Sequence, residues 1–180
     1  MLIKWGDDMG VVERQLRQKT PELILPRYDD LPRLGLYREQ VARYLNSTFA
    51  GVPDLQISST TISTYVKRGV IARPTKRLYG RDQLAELVFI AACRRVVSID
   101  DLAFLLQIRR RRHELVGAYD YFCAKLEEDY QHVFGLRTDL PEIGKESSEE
   151  KRLLDRLLQM VACQLYLSHY LLQARENHNS

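Results

Sequence analysis

Apolar residues recur at three- and four-residue spacing through the second half of this chain, and that period leaves one class of fold. Leu115, Tyr119, Phe122, Leu126, Tyr130 and Val133 step by 4, 3, 4, 4 and 3, which places all six on one side of a helix. From about Ser148 to Arg175 two such stripes run side by side. One holds Leu154, Leu158, Val161, Leu165 and Leu172, and its neighbour holds Leu153, Leu157, Met160, Leu167 and Leu171. Together they are wider than the seam between two helices. The chain is expected to be mainly α-helical.

The first half is more punctuated. Residues 1–22 read as an N-terminal arm with a short helix around MGVVERQLRQ, and ILPRYDDLPRLG as a proline-broken extended stretch. LYREQVARYLNSTF carries Leu36, Val41, Tyr44, Leu45 and Phe49 at near-helical spacing, and AGVPDLQ connects it onward. Ser58 or Ser59 caps a helix over 60–68, and Gly69 stops it where a left-handed backbone favours glycine. Pro74 forbids a regular helix in VIARPTKRLY, so Ile71, Leu78 and Tyr79 are expected to pin a short extended wing. Helix resumes in GRDQLAELVFIAACRRV with Leu84, Leu87, Val88, Ala91 and Val96 on one face. Ser98 then caps SIDDLAFLLQIRR, whose first-turn acids and last-turn arginines suit the helix dipole.

The formal net charge of +3 conceals a regional imbalance. Residues 1–56 carry 8 basic and 8 acidic groups, residues 57–112 carry 12 and 4, and residues 113–180 carry 7 and 12, so the nets 0, +8 and −5 sum to +3. A cationic middle is the footprint expected of a polyanion-binding face. The run Arg109–Arg112 is read more plainly as a helix end stabilised by cations, because successive residues turn by about 100° and cannot all face one partner. The start MLIKWGDDMG lacks the apolar core of a signal peptide, and no apolar run is long enough to span a bilayer, so a soluble cytoplasmic protein is expected.

Cys93, Cys123 and Cys163 are 30 and 40 residues apart in apolar runs and are expected to be buried thiols. His113, His132, His169 and His178 have no metal-ligand or triad spacing, and no glycine cluster suggests a phosphate loop. Catalytic, metal and cofactor sites are therefore not expected. Tyr119, Tyr121, Tyr130, Tyr166, Tyr170, Phe122 and Phe134 are candidates for an effector pocket, with core packing the preferred reading. No motif specifies a small-molecule effector.

Helix, connector, glycine-stopped helix, basic wing and further helices is a winged helix-turn-helix order. TTISTYVKRGVI resembles the recognition helix of MerR-type regulators at Thr61, Ile62, Tyr65, Gly69, Val70 and Ile71, and the wing pattern is similar at Pro74, Arg77, Tyr79 and Leu84. SIDDLAFLL is similar to the helix that follows in that family. A closer resemblance is to a bacterial family termed domain of unknown function 1836, in the opening LPRY…LP…LY…QV…YL, the centre T…I..YVK.G.I..P.K..Y.R..LA.L, and the helix after it, from Leu25 to about Leu106. The resemblance implies a MerR-like fold and transcriptional regulation.

The expected organisation is an arm (1–22), a MerR-like winged helix-turn-helix domain (23–110) and a C-terminal helical region for dimerisation or effector binding (111–180). The expected function is sequence-specific binding of double-stranded DNA. Thr60, Thr61, Ser63, Thr64, Lys67 and Arg68 would enter the major groove, and Arg73, Lys76, Arg77, Tyr79 and Arg81 would lie along the backbone. A homodimer is expected through Leu154, Leu158, Val161, Leu165 and Leu172, as MerR-type proteins pair through a C-terminal helix. The alternative is a protein–protein adaptor that keeps the fold without binding DNA.

Overall fold

The computed structural model describes residues 6–136 and 148–178. Seven α-helices follow in order: α1 (Gly6–Lys19), α2 (Arg38–Thr48), α3 (Ser59–Lys67), α4 (Arg81–Cys93), α5 (Ile99–Arg112), α6 (Leu115–Val133) and α7 (Glu149–His178). The mainly helical expectation holds. The polar loop read after Gly135 lies, over 137–147, outside the described residues. No described helix is long and apolar enough to cross a membrane.

α4 is the centre of the molecule. Nine of its residues are buried, from Leu84 through Cys93, where the sequence suggested a single apolar face. The reason is that α2, α5, α6 and α7 all pack against it. A helix enclosed in this way has to be apolar nearly all round. The exception is Glu86, whose carboxylate accepts hydrogen bonds from the guanidinium groups of both Arg109 and Arg110. Two members of the four-arginine run therefore lock α5 onto α4. Arg110 also donates to the carbonyl of Val70 at 3.1 Å, while Arg112 pairs with Glu150 at 3.0 Å.

One continuous core runs from Leu23 to Leu165. The proline-broken stretch is fastened along α6 by polar contacts: Leu25 N–H and the Arg27 guanidinium donate to Glu127, Tyr28 N–H donates to Asp120, and the Tyr119 hydroxyl donates to the carbonyl of Pro26. Nor is α1 loosely attached. Val12 and Leu16 are buried, α1 packs on α7, and Lys19 donates to Gln173 at 3.2 Å. The short helix read in the arm is thus a full element, because it packs along α7. Of the three cysteines, Cys93 and Cys123 are buried as expected but Cys163 is exposed; it lies on a side of α7 that no described helix covers.

On α6, Lys125 donates to Glu128 and Asp129, both of them buried. Asp129 Oδ2 and Glu128 Oε1 have no hydrogen-bond partner among the described residues. Burial pushes the Asp129 carboxyl above its ordinary range, against the pull of Lys125. A carboxyl raised on folding adds stability below its unfolded pKa, and that stability is lost as pH rises through the folded value. Asp129→Asn is accordingly expected to match the parent protein in acid. It should melt higher by about 2 °C or more at neutral pH. Thermal melts from pH 4 to pH 8 check this, and a gap that narrows as pH rises would contradict it.

Candidate nucleic-acid interface

α3 forms because Ser58 caps it: the Ser58 hydroxyl accepts from Thr61 N–H at 3.1 Å. Ile62 and Tyr65 turn inward and are buried, whereas Val66, four residues from Ile62, is only half-buried. The helix stops where expected, with Gly69 at φ +71°. Its solvent face carries Thr60, Thr64 and Lys67, spaced by four and three along one stripe, all exposed. Thr61 and Ser63 are half-buried and engaged. Thr61 bonds the capping Ser58 hydroxyl, and Ser63 accepts from Arg38 at 2.8 Å. Arg68 pairs with Asp100 of α5 at 3.1 Å.

The basic segment after Gly69 departs from expectation. No strand forms over 73–81 among the described residues. Two isolated bridges stand in place of a wing, Thr75 with Leu78 and Leu36 with Tyr79. Pro74 has no N–H to extend the ladder, and only two residues separate Thr75 from Leu78. The result is a tight turn closed by Leu78 N–H to the Thr75 carbonyl at 2.9 Å. Its two central residues are Lys76 at φ +51° and Arg77 at φ +67°. Paired positive φ values at the centre of a two-residue turn are the signature of asparagine and glycine. Two long cations are held there instead, each at an order-of-magnitude cost of about 1 kcal/mol or more. Both are exposed.

Leu36 and Tyr79 exchange both backbone hydrogen bonds, at 3.0 and 2.9 Å, and so pin the turn to the start of α2. Gly35 is required beside this pairing: a Cβ there would meet Leu78 Cβ at 2.8 Å. Antiparallel register carries Arg38 and Arg77 toward the same end of the pairing, and Arg38 in turn reaches Ser63 on α3. The turn, the head of α2 and the middle of α3 are thereby one connected surface. Arg38 was not among the residues singled out in the sequence. A signal was present, since a cation in the first turn of a helix opposes the dipole, an opposition relieved here by Glu39 at 2.6 Å.

Tyr79, expected on the backbone of DNA, is instead 4 % exposed and belongs to the core; burial pushes its phenol pKa up. Arg81 is also diverted. It lies 5.2 Å over the Tyr28 ring and pairs with Asp29 at 3.5 Å. Among the described residues Lys67, Arg73, Lys76 and Arg77 make no ion pair, so α3 and the turn keep a cluster of the basicity legible in the sequence.

Most of the stripe expected to pair two chains is likewise buried within its own chain. Leu158, Val161 and Leu165 are fully buried in their own chain and Leu154 packs partly against that core. Only Leu172 of that stripe is exposed. The neighbouring stripe faces outward through Leu153, Met160, Leu167 and Leu171, whereas its Leu157 is buried. Packing against α6, α1 and α4 selected one stripe, and the choice depends on the azimuth of α7, which spacing does not encode. Tyr130 and Phe134 stack in the core at 4.4 Å. No group of three or more His, Cys, Asp or Glu side chains that could hold a metal occurs among the described residues.

Fold and surface together define a helical protein built round a buried central helix, with a strained cationic turn beside a short capped helix. The chain belongs to the family described as Domain of unknown function (DUF1836), which matches residues 26–122, just over half of its length. That span takes in α2 to α5, the turn and the first part of α6. No curated protein and no solved structure matches the chain.

Proposed function

We propose that this protein is a cytoplasmic DNA-binding transcriptional regulator with a MerR-like helix-turn-helix. In this reading α3 enters the major groove through Thr60, Thr64 and Lys67, and the Lys76–Arg77 turn contacts phosphates. The carrying observation is the turn itself: two adjacent, exposed, unpaired cations in a backbone conformation that costs free energy for either residue. Strain of this kind persists where the side chains are needed. A phosphate backbone is the partner for which closely spaced cations have a use. The connection from the turn through Arg38 to Ser63 supports a single surface that meets the backbone and the groove together. A homodimer through the outward stripe of α7 would double the contact and match two half-sites.

Fluorescence anisotropy on a random-sequence duplex tests the reading. Affinity is expected to fall steeply between about 50 and 200 mM salt, with a log–log slope of about −0.9 per phosphate contacted. No binding at the lower salt would remove the DNA reading and favour the adaptor alternative.

A further inference from the structure

Between α4, α5, α6 and the first turns of α7 lies a cavity of about 470 Å³, within the range of small-molecule sites. Its walls are largely apolar, with Phe89 from α4, Leu105 from α5, Ala118 and Phe122 from α6, and Leu154 and Leu157 from α7. Phe89 and Phe122 meet edge to face at 5.3 Å and hold the aromatic side of the wall rigid.

Apart from the exposed His113, the charged and phenolic groups on the lining already have partners. Glu86 is held by Arg109 and Arg110. The Tyr121 hydroxyl donates to Asp155, and the Lys151 ammonium lies 5.2 Å over the Tyr121 ring. Glu114 accepts from Val116 N–H and Gly117 N–H at the head of α6, and Glu150 accepts from Arg112. Away from His113, a charged occupant would have to break one of these pairs and lose its own hydration as well, whereas an apolar one disturbs none of them.

We propose that this cavity is a binding site for an uncharged, mainly apolar small molecule. Occupancy has a route to the candidate DNA face, a consequence that rests on the reading above. Glu86 forms part of the wall and binds Arg110, and Arg110 donates to the carbonyl of Val70, directly after the glycine that ends α3. Val70 N–H in turn donates to Tyr65 on α3 at 2.9 Å. A molecule seated against Glu86 and Phe89 therefore presses on the residues that fix the end of the helix.

The uncharged dye N-phenyl-1-naphthylamine is the probe, titrated into the full chain and read by fluorescence without DNA. The expected result is saturable uptake, one dye per chain. Ala118→Phe projects a ring into the cavity and should weaken uptake at least tenfold. Leu105→Gln makes a half-exposed part of the wall polar and should weaken it several-fold. Circular dichroism confirms that each variant is folded, and the two substitutions are independent, so a misfolded one does not remove the test. Unsaturable uptake, or uptake unchanged by whichever variants fold, would overturn the site. Uptake seen only after Leu167→Lys exposes the outer face of α7 would mean that a second copy of the chain fills the cavity, and would also overturn it. Slower hydrogen exchange at Val70 with dye bound is expected, and unchanged exchange there would overturn the route to α3. Since no arm uses duplex, failure of the site and failure of the DNA reading are separable.

Discussion

Replacing Leu158 with lysine is expected to unfold the protein at neutral pH, whereas Leu167→Lys, nine residues along the same helix, leaves it folded. Leu158 is fully buried and Leu167 is 56 % exposed. Losing the buried leucine contacts alone costs about 2–5 kcal/mol. An unpaired ammonium in that site adds several kcal/mol more. The total stability of a domain is about 5–15 kcal/mol, so little or none remains. At Leu167 the expected change in the single chain is within about 0.5 kcal/mol. Circular dichroism and urea titration check the contrast. The same pair also tests the dimer: light scattering on the parent should give twice the 21.0 kDa chain mass, and Leu167→Lys should lower it toward one. A parent already at one chain mass at micromolar concentration would remove the homodimer. A well-folded Leu158→Lys would show that α7 does not turn this face inward.

The second large effect separates strain from charge in the turn. Lys76→Asn with Arg77→Gly installs the residue pair that favours two consecutive positive φ values. The double variant is expected to be more stable by roughly 1–2 kcal/mol, which raises the melting temperature by about 2–4 °C for each kcal/mol in a chain of this size. It removes both cations, so duplex affinity should fall roughly tenfold at low salt and the log–log salt slope should flatten by about 1.8. Stability gained while binding is lost is the pattern of a site that trades one for the other. Gained stability with an unchanged slope would show that these cations touch no phosphate. A loss of stability would show that other contacts, not function, hold the turn.

Much of the architecture was legible because it is written in local chemistry. The period of the apolar residues specified helices. Ser58 and Gly69 marked both ends of α3, since an N-cap and a left-handed stop depend on the residues at those positions and little else. The charge imbalance of the middle third could be counted directly. Family membership was also legible, because the motifs from Leu25 to Leu106 lie within or beside the matched span.

Tertiary packing decided the rest, and in each case the deciding partner is distant in sequence. Tyr79 is core and not surface because Leu36, forty-three residues earlier, pairs with it. Arg81 is diverted by Tyr28 and Asp29. Glu86 claims Arg109 and Arg110, so the most basic run in the chain serves largely to hold α5 to α4 and to Val70. Lys76 and Arg77 keep free charge because the turn projects them where none of the described acids reaches. The two leucine stripes of α7 have nearly the same rhythm in sequence, and packing against α6, α1 and α4 buries most of one and leaves most of the other to solvent. Periodicity determines that a face exists. Which face meets a neighbour, and which cations remain unpaired, is set by contacts between residues that only the folded chain brings together.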